Sequence, residues 1–249
     1  MLTEERYNRI LSKLGNNNTV KLIDLTKAVG ASESTVRRDL AALEKMGKLK
    51  RVHGGAVAVQ SAMLFKEPDV EEKRNLRLED KEKIAKYAAQ TINKNDFVFI
   101  DAGTTTEKMI EYITEKQATY VTNGFMHAGI LARRGFKVFL TGGEVKFSTQ
   151  ALVGVSCVET IKNYHFTKCF LGANGITEEN GITTHNIDEA SVKRAAAEKS
   201  YVTYVLADSS KFGVTTAVTF AEMSDTCIIT DKLTDPKYKE ITIVKEVSV

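Results

Sequence analysis

The sequence predicts a small, mainly helical head followed by a larger α/β domain with a mainly parallel sheet. In the first 57 residues, apolar side chains recur at helical spacing, whereas beyond residue 97 short strand-like runs alternate with helix-length segments. That alternation is typical of a parallel sheet covered by helices. The charge divides in the same way, with 11 Lys/Arg against 6 Asp/Glu in residues 1–57 and 24 against 26 afterwards. This excess indicates that the head meets a polyanion.

The composition favours a soluble protein with reduced thiols. The 249 residues are 43% hydrophobic and 27% charged, which is ordinary for a globular chain. No apolar run approaches the roughly 20 residues that span a bilayer, and the N-terminus lacks a signal-peptide pattern. We therefore expect a cytoplasmic protein with no membrane partner. The three cysteines are widely spaced, at Cys157, Cys169 and Cys227. This spacing favours buried thiols over a disulfide or metal framework. We expect no metal and no cofactor.

Two helices are predicted before residue 30. Thr3 can cap the first, whose apolar side chains are Tyr7, Ile10, Leu11 and Leu14, and the run 15–18 (Gly-Asn-Asn-Asn) is expected to end it. The second is short, with Leu22, Leu25 and Val29 facing inward. Gly30 and Ala31 then form a tight turn. A third helix after such a turn gives the helix-turn-helix pattern.

The third helix combines an apolar stripe with a basic face. Ser32 is a good N-cap residue, and Val36, Leu40 and Leu43 fall on one side. The opposite face carries Ser34, Thr35, Arg37 and Arg38. Arginine reads guanine edges or grips phosphate, and short hydroxyls allow close approach to the DNA backbone. The alternative is an ordinary amphipathic helix with a solvated basic face.

A basic hairpin is predicted after this helix. Leu49, Val52 and Val57 suit short strands, and Gly54-Gly55 is a hairpin turn signal. The order helix, helix, basic helix, basic hairpin predicts a winged helix-turn-helix over residues 1–57 that binds double-stranded operator DNA. The predicted DNA-binding residues are Ser32, Ser34, Thr35, Arg37, Arg38, Lys48, Lys50, Arg51, His53, Gly54 and Gly55.

The remaining chain divides into a linker and a large domain. Residues 58–78 lose apolar periodicity and contain Pro68 and the charged run 71–74, which predicts a linker. Residues 79–249 form the α/β effector-binding domain. Its first helix is predicted at 81–92. Its strands are predicted at 97–100, 119–122, 137–140, 168–171, 202–206 and 227–229.

Polar and glycine residues follow the predicted strands, at the sheet edge where ligands gather in such domains. The segment Asp101–Thr106 runs from a strand into a helix, and its threonines and N–H groups form a natural phosphate cradle. The alternative is a simple turn with a threonine cap, and for Glu189 and Lys193 an ordinary surface salt bridge. The predicted effector-binding residues are Asp101, Gly103, Thr104, Thr105, Thr106, Asn123, Gly142, Gly143, Lys146, Gly172, Asn174, Glu189, Lys193, Asp208 and Lys211.

These motifs resemble a known family along nearly the whole chain. The runs Ser32–Leu40 and Leu49–Ala56 look like the DNA-binding signature of DeoR-type bacterial repressors. The later half resembles the same family in Asp101–Thr106, Thr141–Glu144, Glu189–Lys193 and Ala207–Gly213. The resemblance implies a winged helix-turn-helix joined to a sugar-phosphate sensor that is similar in fold to ribose-5-phosphate isomerase. The acid-rich segment of that isomerase would fall near Leu171–Gly175, where its carboxylates are missing.

Two functions are therefore weighed. The first is a transcriptional repressor of a sugar-utilisation operon that a phosphorylated sugar releases from DNA. The second is a sugar-phosphate isomerase-like enzyme with an attached DNA-binding head. Glu189 is its best candidate for proton transfer, but it has no obvious carboxylate partner. We expect no enzyme and no catalytic residues.

The sequence also supports more specific expectations about the oligomeric state and the effector. Operator half-sites usually mirror a dimer, so a homo-oligomer, dimer or tetramer, is expected. The details at 32–35, 49–51 and 142–150 look most like the fructose-operon repressors of Gram-positive bacteria, which implies fructose 1-phosphate. Glycerol 3-phosphate, tagatose 6-phosphate and deoxyribose phosphate remain open, as do the operator sequence and the regulated genes.

Overall fold

The computed structural model describes residues 3–17, 19–46, 48–58, 70–233 and 235–247. The chain divides into two compact units, Met1–Glu67 and Pro68–Val249. We refer to them as the head and the body. None of the described helices is long and apolar enough to cross a membrane.

The head is a three-helix unit with a small antiparallel sheet. Its elements are α1 (Thr3–Asn17), β1 (Thr19–Lys21), α2 (Leu22–Val29), α3 (Glu33–Lys45), β2 (Leu49–Val52) and β3 (Gly55–Ala58), and the strand order is β1-β3-β2. The predicted inward residues of all three helices form one core, in which Ile10, Leu25, Val36 and Leu43 are fully buried. Gly30 ends α2 in the left-handed conformation, as the predicted turn requires.

Two details of the head differ from the sequence prediction. Helix α1 continues to Asn17, through the Gly-Asn run that was expected to end it, so the helical backbone extends beyond Leu14, where the apolar period stops. Strand β1, only three residues long, was not predicted, and it pairs Lys21 with Gly55.

The body is an α/β domain on a seven-stranded parallel sheet, which confirms the predicted fold class. Its strands are β4 (Phe97–Ile100), β5 (Thr119–Thr122), β6 (Lys137–Leu140), β9 (Phe166–Gly172), β12 (Ser200–Leu206), β14 (Cys227–Thr230) and β15 (Ile243–Glu246). Their order in the sheet is β15-β14-β12-β9-β4-β5-β6. Six of the seven were predicted.

Short strands and helices complete the body. The strands are β7 (Glu144–Lys146), β8 (Ala151–Val153), β10 (Gly175–Thr177), β11 (Gly181–Thr184) and β13 (Val218–Ala221). The helices are α4 (Val70–Asn75), α5 (Leu78–Gln90), α6 (Thr104–Tyr112), α7 (Phe125–Arg133), α8 (Val155–Lys162), α9 (Ile187–Glu198) and α10 (Tyr238–Ile241).

The predicted linker at 58–78 requires correction at both ends. Ala58 is the last residue of β3, and residues 70–75 form helix α4. Residues 59–69, including Pro68, lie outside the described residues. Helix α4 was missed because its six residues, Val-Glu-Glu-Lys-Arg-Asn, carry one apolar side chain and therefore show no helical period.

Hydrophobic cores cover both faces of the large sheet. In β4, Phe99 packs on one face with α8 and α9, while Val98 and Ile100 pack on the other with α5, α6 and α7. Strand order reverses direction between β4 and β9, since β5 and β6 extend on one side and β12, β14 and β15 on the other. The carboxyl ends of strands at such a switch point open into a crevice.

Candidate functional site

The exposed face of α3 carries the predicted hydroxyls and guanidinium groups. Ser34, Arg37 and Arg38 are exposed, and Thr35 is half-buried. Ser32 caps the helix by accepting from the Thr35 N–H at 3.3 Å, and its hydroxyl lies 2.9 Å from the hydroxyl of Ser34. Arg37 contacts Glu33 at 3.3 Å in an exposed i,i+4 pair. Such a pair is weak, so the guanidinium can exchange this carboxylate for a phosphate or a base edge.

The β2–β3 hairpin forms the predicted basic wing, and it is fastened to α3. Arg51 contacts Glu44 at 2.6 Å through its side chain, and its N–H donates to the same carboxylate at 2.9 Å. These bonds lower the pKa of Glu44 and keep it charged. Arg51 therefore holds the hairpin against α3, while Lys48, Lys50 and His53 are exposed.

The two hairpin glycines have different roles. The turn consists of His53 and Gly54, and Gly54 has φ +87°. Gly55, which the sequence predicts to lie in the turn and to contact DNA, is instead buried inside β3. A Cβ on Gly55 would lie 2.1 Å from the Val20 carbonyl oxygen, so this glycine serves the packing of β1 against β3.

An ion pair between α1 and α3 was not predicted. Arg6 Nε and Nη2 contact the Asp39 carboxylate at 2.7 and 3.0 Å, and Asp39 is buried on α3. The hydrogen bond that Arg6 donates to Asp39 raises the pKa of Arg6. This pair fixes the orientation of α3 on α1. The two residues are 33 positions apart, and no local pattern in the sequence could have connected them.

The body has a cavity of about 220 Å³ at the carboxyl ends of β4, β9 and β12. It therefore lies at the switch point. Of the fifteen predicted effector-binding residues, ten line it, namely Asp101, Gly103, Thr104, Thr105, Gly172, Asn174, Glu189, Lys193, Asp208 and Lys211. Pockets for larger drug-sized ligands are typically about 300–1,000 Å³, so this volume suits a small metabolite.

The other five predicted residues lie outside the cavity lining. The Thr106 side chain is buried, and its hydroxyl bonds to the backbone of Asp101 and Gly103. Asn123 accepts from the Ala102 N–H at 3.0 Å and donates to the Leu152 carbonyl at 3.2 Å. Both side chains therefore stabilise the loop 101–103 by hydrogen bonds without lining the cavity. The remaining three predicted residues outside the lining are Gly142, Gly143 and Lys146.

Helix α6 begins at the cavity wall with Gly103 as its N-cap. The first N–H groups of a helix have no partner within it, so those of Thr104 and Thr105 are available to a ligand. His127 supports the loop, with Nε2 3.1 Å from the Gly103 carbonyl oxygen. Burial lowers the pKa of His127, which favours the neutral form of this ring. A Cβ on Gly124 would lie 2.6 Å from that ring.

Two carboxylates in the cavity are neutralised by lysines. Lys193 bonds to Asp101 and donates to the Gly172 carbonyl at 3.1 Å. Lys146 contacts Glu189 at 3.0 Å, and Thr149 donates to the same carboxylate at 2.8 Å. The Glu189–Lys193 surface pair considered from the sequence is thus replaced by two pairs with distant residues, which sequence spacing could not reveal.

Several cavity residues are not among those predicted from the sequence, namely Lys73, Arg77, Lys81, Thr149, His185 and Ser210. The first three lie on or beside α4 and α5. Arg77 is the N-cap residue of α5, with φ +51°, and its Nε lies 3.4 Å from an Asp208 oxygen. A non-glycine residue at positive φ is a recurrent feature of functional sites. The charged run 71–74, which precedes α5, was the sequence signal that could have indicated these cations.

The cavity carries an excess of positive charge. Its described lining contains five cationic side chains, Lys73, Arg77, Lys81, Lys193 and Lys211, against three carboxylates, Asp101, Glu189 and Asp208. Together with the helix N-terminus, this excess favours an anionic ligand. No group of three or more His, Cys, Asp or Glu among the described residues is arranged to hold a metal ion.

A basic helix-turn-helix head joined to an α/β body with a positively charged cavity defines a DNA-binding transcriptional regulator with a ligand-sensing domain. Two family models match the chain: the DeoR-like helix-turn-helix domain over residues 6–62 and the DeoR C terminal sensor domain over residues 76–232. The chain therefore belongs to the DeoR family, as its motifs predicted.

Relatives match over almost the full length. The chain is 43% identical to the uncharacterized HTH-type transcriptional regulator FruR of Bacillus subtilis, covering 99% of both chains. It is 32% identical to the lactose phosphotransferase system repressor of Streptococcus mutans, again over 99% of both. It is 35% identical to the HTH-type transcriptional regulator GolR of Listeria innocua, over 96% of this chain and 95% of that one.

Solved structures overlap the chain less extensively. Ribose 5-phosphate isomerase A from Neisseria gonorrhoeae aligns over 54% of this chain and 53% of its own, with 19% identity and a TM-score of 0.40. The corresponding enzyme from Methanocaldococcus jannaschii aligns over 53% of each chain, with 15% identity and a TM-score of 0.37. At these scores the overlap carries no conclusion about chemistry.

Proposed function

We propose that this regulator represses a sugar-utilisation operon and is released from its operator by a phosphorylated sugar bound in the body cavity. The observation that carries the proposal is the cavity itself, which is small, lies at the strand switch point and has an excess of cationic side chains beside a helix N-terminus. A phosphate monoester carries about −1.5 to −2 charges at neutral pH, which would balance this excess.

The head supplies the DNA-binding half of the proposal. Ser34, Arg37 and Arg38 face solvent on α3, and Lys48, Lys50 and His53 do so around the hairpin. A recognition helix of this kind reads base edges in the major groove, and a basic wing contacts the backbone. We propose that α3 enters the major groove and that the wing grips the adjacent phosphates.

Fructose 1-phosphate is our first choice of effector. It rests on the resemblance of residues 32–35, 49–51 and 142–150 to fructose-operon repressors. One relative, identical at 32%, is named as a repressor of the lactose phosphotransferase system, which supports a role in sugar metabolism more generally. Glycerol 3-phosphate, tagatose 6-phosphate and deoxyribose phosphate are the competing ligands.

The enzyme alternative is not favoured. The relatives that cover nearly the whole chain are named regulators or repressors. Within the cavity, Asp101 is paired with Lys193 and Glu189 with Lys146. A general base must reach a substrate proton and keep a suitable pKa, and carboxylates held by lysines are poorly placed for that. Isomerase assays on pentose and hexose phosphates would separate the two functions.

The proposal is tested on the full chain with a panel of phosphorylated and unphosphorylated sugars, by thermal unfolding and by operator binding. A ligand that binds only the native state raises the unfolding temperature. We expect fructose 1-phosphate to raise it, fructose to have little effect, and the same compound to weaken operator binding. A rise with another phosphosugar would replace the effector. Equal rises with unphosphorylated sugars would contradict the proposal.

A further inference from the structure

Strand β6 (Lys137–Leu140) forms one edge of the seven-stranded sheet, and its apolar side chains are partly uncovered. It pairs with β5 on one side and with no other described strand. Phe139 lies beside Val121, on the sheet face that α8 and α9 cover, yet it is 45% exposed. Leu140 lies on the opposite face and is 41% exposed. A strand that is apolar on both faces is typical of the interior of a parallel sheet, not of its edge.

The apolar surface continues from β6 onto two neighbouring elements. Phe125 and Met126 begin α7. Val145 lies in β7, and Phe147 lies in the turn that follows it. The Phe125 N–H donates to the Gln150 carbonyl oxygen at 3.1 Å, which joins the start of α7 to the β7–β8 hairpin. We call the six exposed side chains the edge patch, namely Phe125, Met126, Phe139, Leu140, Val145 and Phe147.

The edge patch is large enough to be an interface. Phe147 is 95% exposed, and Phe125 is 56% exposed. Since a phenylalanine buries roughly 200 Å², these two and Phe139 present roughly 400 Å² of apolar surface. This area is within the range of the largest apolar patch on a typical monomer, about 300–600 Å². It is also half of the roughly 800 Å² that each partner buries in a stable interface, before the other three side chains are counted.

The opposite edge of the sheet is protected in a way that β6 is not. Strand β15 ends with Lys245 and Glu246. Glu246 accepts from the Leu233 N–H at 3.0 Å and from Lys239 at 2.7 Å. Charged residues and covering segments prevent an edge strand from pairing with another chain. In β6 only the first residue, Lys137, is charged. This contrast indicates that the β6 edge is the one available for pairing.

The backbone of β6 determines how a second strand can pair with it. The Thr141 N–H donates to the Thr122 carbonyl oxygen at 3.0 Å, so it points towards β5. Backbone groups of successive residues in a strand point to opposite sides. The N–H and C=O groups of Val138 and Leu140 therefore point away from β5, towards the open edge.

We propose that a second copy of this chain binds on the edge patch, with the β6 strands of the two copies paired antiparallel about a two-fold axis at Phe139. Val138 then exchanges both backbone hydrogen bonds with Leu140 of the partner subunit, so the outward-pointing groups are satisfied. The two Phe139 side chains face each other in a non-hydrogen-bonded pair, where side chains approach most closely.

The two-fold arrangement favours a second copy over a different partner. An interface between identical patches is self-complementary, so each favourable contact occurs twice. It is also closed, because it uses up the open edge of both copies and leaves none for further pairing. A two-fold pair also matches the head, since operator half-sites usually mirror the symmetry of a protein dimer.

The first test introduces charge at Phe139 in the full chain. Phe139→Glu sets two carboxylates opposite each other and removes an aromatic anchor, so the dissociation constant of the pair should rise about 100-fold or more. Phe139→Lys should have the same effect. Because the residue faces its own copy, an equimolar mixture of the two variants should again associate, with one chain of each. Sedimentation equilibrium measures the masses, and circular dichroism shows whether each variant is folded.

Ile243→Glu is the matched control, because Ile243 is 70% exposed on the opposite edge strand, β15. This variant should keep the mass of the wild type. Phe139→Glu should instead halve that mass, from dimer to monomer or from tetramer to dimer.

The second test introduces no charge. In Phe139→Cys the two Cα atoms would lie about 4.5 Å apart, as in a non-hydrogen-bonded antiparallel pair, which is within the range of about 4.4–6.8 Å for disulfides. Air oxidation catalysed by copper phenanthroline should therefore cross-link this variant into dimers that dithiothreitol separates. Ile243→Cys and the wild type are the controls and should remain uncross-linked.

The outcomes decide the inference independently of the proposed function, because none of them depends on an effector. A wild type that is monomeric at micromolar concentration would mean that something other than a second copy covers the edge patch, and the inference would be overturned. It would also be overturned if folded Phe139→Glu kept the wild-type mass, or if Ile243→Glu lost mass instead. Should Phe139→Glu not fold, the cross-link decides, and an associated Phe139→Cys chain that forms none would place the interface elsewhere.

Discussion

The arginines of the head divide between structure and recognition. Arg6 is committed to the buried Asp39 and Arg51 to Glu44, whereas Arg37 and Arg38 are exposed on α3. The helical period could identify Arg37 and Arg38 as exposed. Val36, Leu40 and Leu43 define the buried side of α3, and the arginines lie on the opposite side. The helical period could not identify the partner of Arg6, because Arg6 and Asp39 are 33 positions apart in sequence and are brought together only by the tertiary fold. It could not identify the partner of Arg51 either, because Glu44 lies on the helix and Arg51 on the hairpin.

Arg37→Ala is expected to weaken operator binding by about 1–3 kcal/mol, the range for one arginine contact to a base. The unfolding temperature should change little, because the side chain is exposed and its pair with Glu33 is weak. Fluorescence anisotropy with operator DNA measures the affinity. Lys13→Ala removes one charge from the exposed part of α1 and is the matched control. Equal losses in the two variants would show that Arg37 contributes only general charge.

At the scale of elements, the sequence predicted the helices and strands that have a periodic or apolar pattern. Strands 97–100, 119–122 and 137–140 begin and end where expected, because each is a short apolar or β-branched run. Strand β15 was missed because it is an edge strand with only two apolar residues, Ile243 and Val244. Helix α4 was missed for the same lack of pattern. Lys73 of that helix, together with Arg77 and Lys81 at the start of α5, supplies much of the positive charge of the cavity.

The loop between β6 and β7 holds two adjacent glycines with different requirements. Gly143 has φ +124°, and a Cβ there would lie 2.4 Å from the Val153 carbonyl oxygen, whereas a Cβ on Gly142 would meet nothing within 4 Å. Gly143 therefore lets the loop pack against β8. Both were predicted as effector contacts from the run Thr141–Glu144, because a glycine that permits close packing and one that admits a ligand look alike in sequence.

Gly143→Ala is expected to destabilise the body by about 1–3 kcal/mol from backbone strain alone, with the clash at Val153 adding to it. Gly142→Ala should stay within about 0.5 kcal/mol of the wild type. Chemical denaturation followed by circular dichroism measures both. A Gly142→Ala variant as unstable as Gly143→Ala would contradict the packing role assigned to Gly143.

At the scale of the whole molecule, the proposed regulation is a coupling between the head and the body. An effector shifts operator affinity only as far as its own affinities for the two protein states differ. Thermodynamic linkage makes the coupling reciprocal, so the factor by which effector weakens operator binding equals the factor by which operator weakens effector binding. Typical couplings are about 1–3 kcal/mol, or about 5- to 150-fold.

We therefore expect fructose 1-phosphate at saturation to weaken operator binding of the full chain by a factor in this range, and saturating operator DNA to weaken fructose 1-phosphate binding by the same factor. Anisotropy gives the first factor and calorimetry the second, at one salt concentration because operator affinity depends steeply on salt. Arg37→Ala should lower operator affinity in both states and leave the factor unchanged, because Arg37 lies on the exposed face of the head. Lys81→Gln should reduce the factor at a given concentration of fructose 1-phosphate. A factor of one in both directions would mean that the cavity ligand does not control DNA binding, and the repressor mechanism would then need a different effector.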